Sequence, residues 1–153
     1  MKDKYSQIET EITEIKKANL KLKNDLEQKS LDNDRQIDAL INDIIQIVDA
    51  YEKSVTKVKE MGLMDDENAQ KGIKRMLQPK KVALSILSKY NVAQIDLDGK
   101  LMDENSCTVV DTEPDSEKED GFVLSVEKNG YVRGDRLIRR AEVIVVRNSW
   151  RNE

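Results

Sequence analysis

The chain of 153 residues has no histidine, one cysteine, two prolines, six glycines, one tryptophan and one phenylalanine. Without histidine there is no Ser-His or Cys-His nucleophile system, no histidine metal site and no imidazole general base. The lone Cys107 excludes an internal disulfide and suits a reducing compartment. Beside Thr108 and Val109 it reads as a small buried hydrophobe rather than a reactive thiol. The glycines are scattered at turns and form neither a GxxxxGK nor a GxGxxG string, which argues against nucleotide hydrolysis. No apolar run approaches the roughly 18 residues of a membrane span, and the amino terminus lacks the apolar core of a secretory signal. A cytoplasmic location away from membranes is therefore expected. Charge is nearly balanced, 26 basic against 30 acidic residues for a net −4, so nothing draws the protein to phosphate backbones and nucleic acid is not expected as a partner. The expectation is a non-enzyme with no cofactor and no metal.

What remains is a composition for helices. Charged residues make up 37% of the chain and aromatics 4%, while Leu, Ile and Val occur thirteen times each. That apolar share lies above the roughly 20% below which disorder is the default. From Tyr5 the apolar positions run Tyr5, Ile8, Ile12, Ile15, then Asn19, Leu22 and Leu26. Alternating gaps of three and four make a coiled-coil seam. Asn19 is the polar residue within it, of the kind that fixes register and two-strandedness at some cost in stability. Between Leu26 and Ile37 the phase slips by an eleven-residue step, a stutter that locally unwinds a supercoil. The seam resumes at Ile37, Ile41, Ile44, Val48, Tyr51, Val55 and Val58, widened by Leu40, Ile45 and Ile47. A wide stripe is expected where further helices pack on a pair. We therefore assign dimerisation to Ile8, Ile12, Ile15, Asn19, Leu22, Leu26, Ile37, Ile41, Ile44 and Val48. From Tyr5 to Glu60 there is no Gly or Pro, so one helix of 56 residues would be about 84 Å long.

Gly62 closes that helix, and Met64 to Glu67 marks a new start capped by Asp65 or Asp66. The next stripe is Ile73, Met76, Leu77, Lys80, Leu84, Leu87 and Tyr90. Pro79 interrupts it, which predicts a kink near 75–79 or two abutting helices. Two such chains would place four helices around one core. After Asn91 the pattern turns to short β-branched runs. Asp96 to Gly99 is a turn cluster, Cys107 to Val110 a strand, and Asp111 to Gly121 an acidic loop. Phe122, Leu124 and Val126 alternate with Val123, Ser125 and Glu127. Asn129-Gly130 and Gly134-Asp135 are tight-turn signals, and Ala141 to Val146 is a final strand. The expected fold is α+β: a long coiled-coil helix over residues 1–62, a second helical segment over 63–91 completing a dimeric four-helix bundle, a small antiparallel β domain over 92–148, and a polar tail over 149–153.

The carboxylates of the acidic loop do not have EF-hand spacing and read as a solvated loop. The β domain reverses the charge sign with Lys128, Arg133, Arg136, Arg139, Arg140 and Arg147. Such a face either meets an acidic partner or keeps an exposed edge from aggregating. Trp150 lies in the polar tail, where it either anchors on a partner or has no contact.

Gly130 to Val146 reads GYVRGDRLIRRAEVIVV, and Ile44 to Val55 reads IIQIVDAYEKSV. The first resembles the closing motif of the GrpE family of nucleotide-exchange cochaperones, and the second resembles that family's LLPVLDNLERAL on the long helix, with Asp49 and Lys53 in register. KGIKRML from Lys71 and VAQIDLDGKLMDEN from Val92 extend the similarity over roughly 37–147. Gln46 stands where the family has a proline, the FDPxxH string is Met102 to Cys107 here, and Pro79 is outside the family pattern. The resemblance implies a homodimer that binds the ATPase domain of a DnaK-type heat-shock chaperone, opens its nucleotide cleft and releases ADP. It places partner contacts at Arg136, Met102, Val145 and Gly72, and implies that melting of the coiled coil on heating switches exchange off.

Two other readings stay open on the residues. A Gre-type transcript-cleavage factor is also a coiled coil followed by a β-rich domain, with Asp32, Asp34 and Asp38 near the hairpin tip it requires. A structural dimeric coiled coil would use the β domain only as a cap.

Overall fold

The computed structural model describes residues 2–62 and 66–148. The possible cap Asp65, together with Trp150 and the polar tail, lies outside the described residues. By its internal contacts the chain divides into two compact units, Met1–Leu40 and Ile41–Glu153.

Helix α1 spans Lys2–Glu60, as the absence of Gly and Pro predicts. It ends where Gly62 takes a left-handed φ of 68° and its amide bonds the Lys59 carbonyl at 3.0 Å, a conformation glycine adopts without steric cost. Within the first unit, the seam residues Tyr5, Ile8, Ile12, Ile15, Leu22 and Leu26 are all exposed. Asn19 is exposed as well.

In the second unit, Ile41, Ile45 and Val48 of α1 are at most 2% exposed. Their spacing of four and three marks one covered stripe. The second helical segment consists of two abutting helices, α2 (Glu67–Met76) and α3 (Gln78–Lys89). Asp66 caps α2 by accepting the Ala69 amide at 2.7 Å. Leu77 is the shared residue between the helices, and Pro79 falls in the first turn of α3, where its missing N–H leaves no hydrogen bond unmade. Ala83 and Leu87 are the buried residues of α3. Asn91, at φ 62°, turns the chain into the β region.

Six strands follow: β1 (Val92–Gln94), β2 (Cys107–Glu113), β3 (Val123–Lys128), β4 (Tyr131–Arg133), β5 (Arg136–Arg139) and β6 (Ala141–Val146). They form two three-stranded sheets, ordered β1-β4-β5 and β2-β6-β3. Pairing is antiparallel except between β2 and β6, which run parallel. Three strands lie between those two in sequence, and a long connection is what parallel neighbours require. The acidic loop begins later than the sequence suggests, because Asp111 to Glu113 continue β2 alongside Ile144 to Val146. Loop 114–122 is tied down at Asn148, whose amide side chain donates to the Asp115 and Lys118 carbonyls.

Gly134-Asp135 is the hairpin turn between β4 and β5, with Gly134 at φ 58°. Asn129-Gly130 is not a hairpin, since β3 pairs with β6 while β4 pairs with β1 and β5. The dipeptide carries the chain from one sheet to the other. Gly130 is required there by crowding: a Cβ would sit 2.6 Å from the Ala141 nitrogen and 2.7 Å from Ile95 Cδ1. The apolar core gathers Leu97, Cys107, Val123, Ala141, Val143 and Val145, with Ile95 and Met102 packed on its margin.

Candidate functional site

One turn of α1, just past the covered stripe, holds the β strands and α3 through polar contacts. Asp49 and Glu52 are three residues apart and so share a helix face. Arg139, the last residue of β5, reaches Asp49 with two parallel bonds, Nη1 to Oδ2 at 2.6 Å and Nη2 to Oδ1 at 2.8 Å. Its Nε and Nη2 also donate to the Asn129 carbonyl at 3.1 and 2.7 Å. The guanidinium carbon lies 5.3 Å from the Tyr131 ring centroid, a cation–π distance. Hydrogen bonding to Asp49 raises the Arg139 pKa above its ordinary value, against the opposing effect of burial. Burial pushes the Tyr131 phenol up, while its hydroxyl accepts from Gln94 Nε2 at 2.9 Å.

Glu52 is the second anchor. Its carboxylate accepts both bonds from Asn129 Nδ2, at 2.9 and 3.0 Å, and pairs with Lys80 of α3 at 2.9 Å. Every buried side-chain nitrogen or oxygen among the described residues has a hydrogen-bond partner. The unit therefore meets the requirement that buried polar groups be satisfied. A cleft of about 820 Å³ opens beside this joint. Four carboxylates and five lysines line it, so it presents no dominant charge.

The residues named from sequence fall in three places. Arg136 is exposed at the start of β5. Gly72 is exposed on α2 with open space around it. Met102 and Val145 come together at the core of the β2-β6-β3 sheet, Met102 on its margin and Val145 inside it at 5% exposure. Val145 is thus largely covered within the single chain, where its side chain packs in the core beneath β6. Among the seam residues, Ile41 and Val48 are already covered by their own unit and Ile37 and Ile44 are half-buried. The basic face also changes meaning, since Arg139 turns inward onto Asp49.

Sequence reasoning noticed Asp49 and Arg139 separately and missed their pairing. They stand 90 positions apart, and neither residue's neighbours indicate which charge it faces. Loop residues 102–107 are held by Asp103, whose carboxylate accepts from the Asn105 amide at 3.1 Å and the Ser106 hydroxyl at 3.0 Å. The bonds from Asn105 and Ser106 hold its pKa below the ordinary carboxylate value. Among the described residues no group of three or more Cys, Asp or Glu side chains is placed to hold a metal ion, and no helix is long and apolar enough to cross a membrane.

Together these features define an α+β protein with a long amino-terminal helix, two short helices and a small β domain fastened to the long helix by the Arg139–Asp49 ion pair and the Asn129–Glu52 hydrogen bonds. The GrpE family model matches residues 1–147, and the chain belongs to the GrpE family, whose members are cochaperones of the nucleotide-exchange kind. It is similar to Protein GrpE of Wolbachia sp. subsp. Brugia malayi, with 30% identity over 146 residues covering 95% of this chain and 76% of the relative. It is also similar to Protein GrpE of Alkalilimnicola ehrlichii, 29% identical over 109 residues covering 71% of this chain. For Protein GrpE of Francisella tularensis subsp. holarctica the identity is 24% over 155 residues, covering 96% of this chain. The chain spans about half the length of the Alkalilimnicola relative (48%) and about three quarters of the other two (76% and 77%).

Proposed function

We propose that the protein is a homodimeric, cytoplasmic cochaperone that binds the ATPase domain of a DnaK-type heat-shock chaperone and accelerates ADP release without catalysing a reaction of its own. The observation that carries this reading is the family match running across both the helical and the β regions. Dimerisation has separate support in the exposed seam from Tyr5 to Leu26. Repeated apolar residues at heptad spacing leave a stripe in water that a second identical helix would cover. The α3 residues Val82 and Ile86 are likewise exposed, as a four-helix arrangement of two chains requires.

Arg136, Met102, Val145 and Gly72 are the proposed chaperone contacts. Exchange needs only differential affinity. A protein that binds the open nucleotide cleft more tightly than the closed one shifts that equilibrium and lets ADP leave. Stopped-flow release of labelled ADP from a purified DnaK-type chaperone tests the proposal. Acceleration that Arg136→Ala weakens is the expected result, and no acceleration at saturating protein overturns it. The scaffold reading predicts that null result. A Gre-type hairpin is disfavoured because α1 runs unbroken through Asp32, Asp34 and Asp38.

A further inference from the structure

Resting on the exchange reading, we propose that the Asp49–Arg139 pair is a positioning joint: it sets the angle at which β5 presents Arg136, and so governs how well the bound chaperone is opened rather than how tightly it is held. The geometry points this way. Arg139 ends the strand that Arg136 begins, so the anchor and the exposed arginine are separated by about 10 Å of extended chain. The anchor is directional, because a guanidinium fork on a carboxylate fixes distance and orientation together, whereas apolar contacts allow sliding. The two side chains are 20% and 14% exposed. An ion pair buried to that degree adds little net stability over a well-packed apolar pair, and its best-attested use is to specify one arrangement.

The other contacts reinforce the same joint. Arg139 also holds the Asn129 carbonyl, and the Asn129 side chain returns to Glu52 one turn along α1. Asn129 lies at the β3-to-β4 crossing between the two sheets and Arg139 just before the β5-to-β6 crossing, so both sheets are tied to a single turn of α1. Lys80 brings α3 to the same carboxylate. A lobe gripped at this turn moves with the helix as one piece, and the partner's resistance to opening is met by the helix instead of being absorbed by rotation of the lobe.

The test compares Arg139→Lys and Asp49→Asn with the unaltered full chain, measuring labelled ADP release from a DnaK-type chaperone as a function of cochaperone concentration. Lysine keeps the charge and loses the fork, while asparagine keeps an acceptor and loses the charge. The expected result is a maximal release rate lowered on the order of tenfold, with the half-saturating concentration changed by less than about threefold. Far-UV circular dichroism and sedimentation should match the unaltered protein. Variants that reach the full maximal rate overturn the inference, as do variants whose whole defect is in the half-saturating concentration. Loss of the fold in both variants overturns it too, since the pair would then be needed for stability itself. If the unaltered chain gives no acceleration, the exchange reading falls and takes this inference with it.

Discussion

Gly130→Ala tests the β3-to-β4 crossing between the two sheets. The added methyl would stand 2.6 Å from the Ala141 nitrogen and 3.1 Å from its Cα, against an ordinary contact of at least 3.4 Å. Backbone must therefore yield by about 0.8 Å. The atoms in the way belong to β6, the central strand of its sheet, flanked by β2 and β3. The threatened Ala141 amide donates to the Ser106 carbonyl at 2.9 Å. Overpacking costs about 1–3 kcal/mol, and straining a buried hydrogen bond adds about 1 kcal/mol. A destabilisation of about 2–4 kcal/mol is expected. Gly72→Ala supplies the opposite sign, because its Cβ meets nothing within 4 Å in the middle of an exposed helix, where alanine is favoured by about 0.5–1 kcal/mol. Urea unfolding followed by near-UV ellipticity, which reports the packing of Tyr131, measures both. A Gly130→Ala midpoint equal to that of the unaltered protein would refute the crowding argument.

Other expectations follow from single contacts. Asp66→Ala removes the cap of α2 and should lower urea stability by about 0.5–2 kcal/mol. Asn19→Leu fills the polar position of the seam and should raise the melting temperature of the helical signal in a concentration-dependent way; an unchanged melt at all concentrations would count against pairing through that seam. The Asp103 carboxyl has a folded pKa below its unfolded one, so its contribution is present above the unfolded value of about 3.9 and is lost as pH falls through the folded value. Loop 102–107 should loosen below about pH 4 in amide exchange, and Asp103→Asn should remove that dependence. On heating, the seam unit should melt before the β core; a single cooperative transition in circular dichroism contradicts this.

The sequence was most readable where one periodicity governed a long stretch. A Gly-free and Pro-free run with gaps of three and four leaves a helix as the one way to put Tyr5 through Leu26 on a single face, and α1 follows it. Ala141 to Val146 was legible for the same reason, its alternating valines matching a buried strand. The joint was illegible because partner choice between charges is a property of tertiary geometry. Six basic residues cluster near the carboxy terminus, and only the fold shows that Arg139 is the one paired with Asp49. Asn129-Gly130 misled because a tight-turn dipeptide and a tight crossing need glycine for different reasons, conformational freedom in one and space in the other. That Val145 packs inside the sheet core was not legible either, because a motif match carries positions and not exposures.

A lobe fixed to the long helix by a bidentate ion pair bears on how an exchange factor without catalytic groups would act. Moving a partner's cleft from 1:99 to 99:1 in favour of the open form takes a differential affinity of about 10⁴-fold, or about 5.5 kcal/mol. That energy comes entirely from contacts made better with the open form, and any compliance in the lobe lets the same contacts form on the closed one, erasing the difference. Apolar packing alone tolerates such slippage, since it is non-directional. A bidentate pair at 2.6 and 2.8 Å, with the same guanidinium bonded to the crossing residue Asn129, does not rotate without breaking bonds. Stiffness at this one turn of α1 is therefore the property that would convert binding energy into discrimination between two forms of the partner, and a variant that binds normally yet exchanges slowly is its signature.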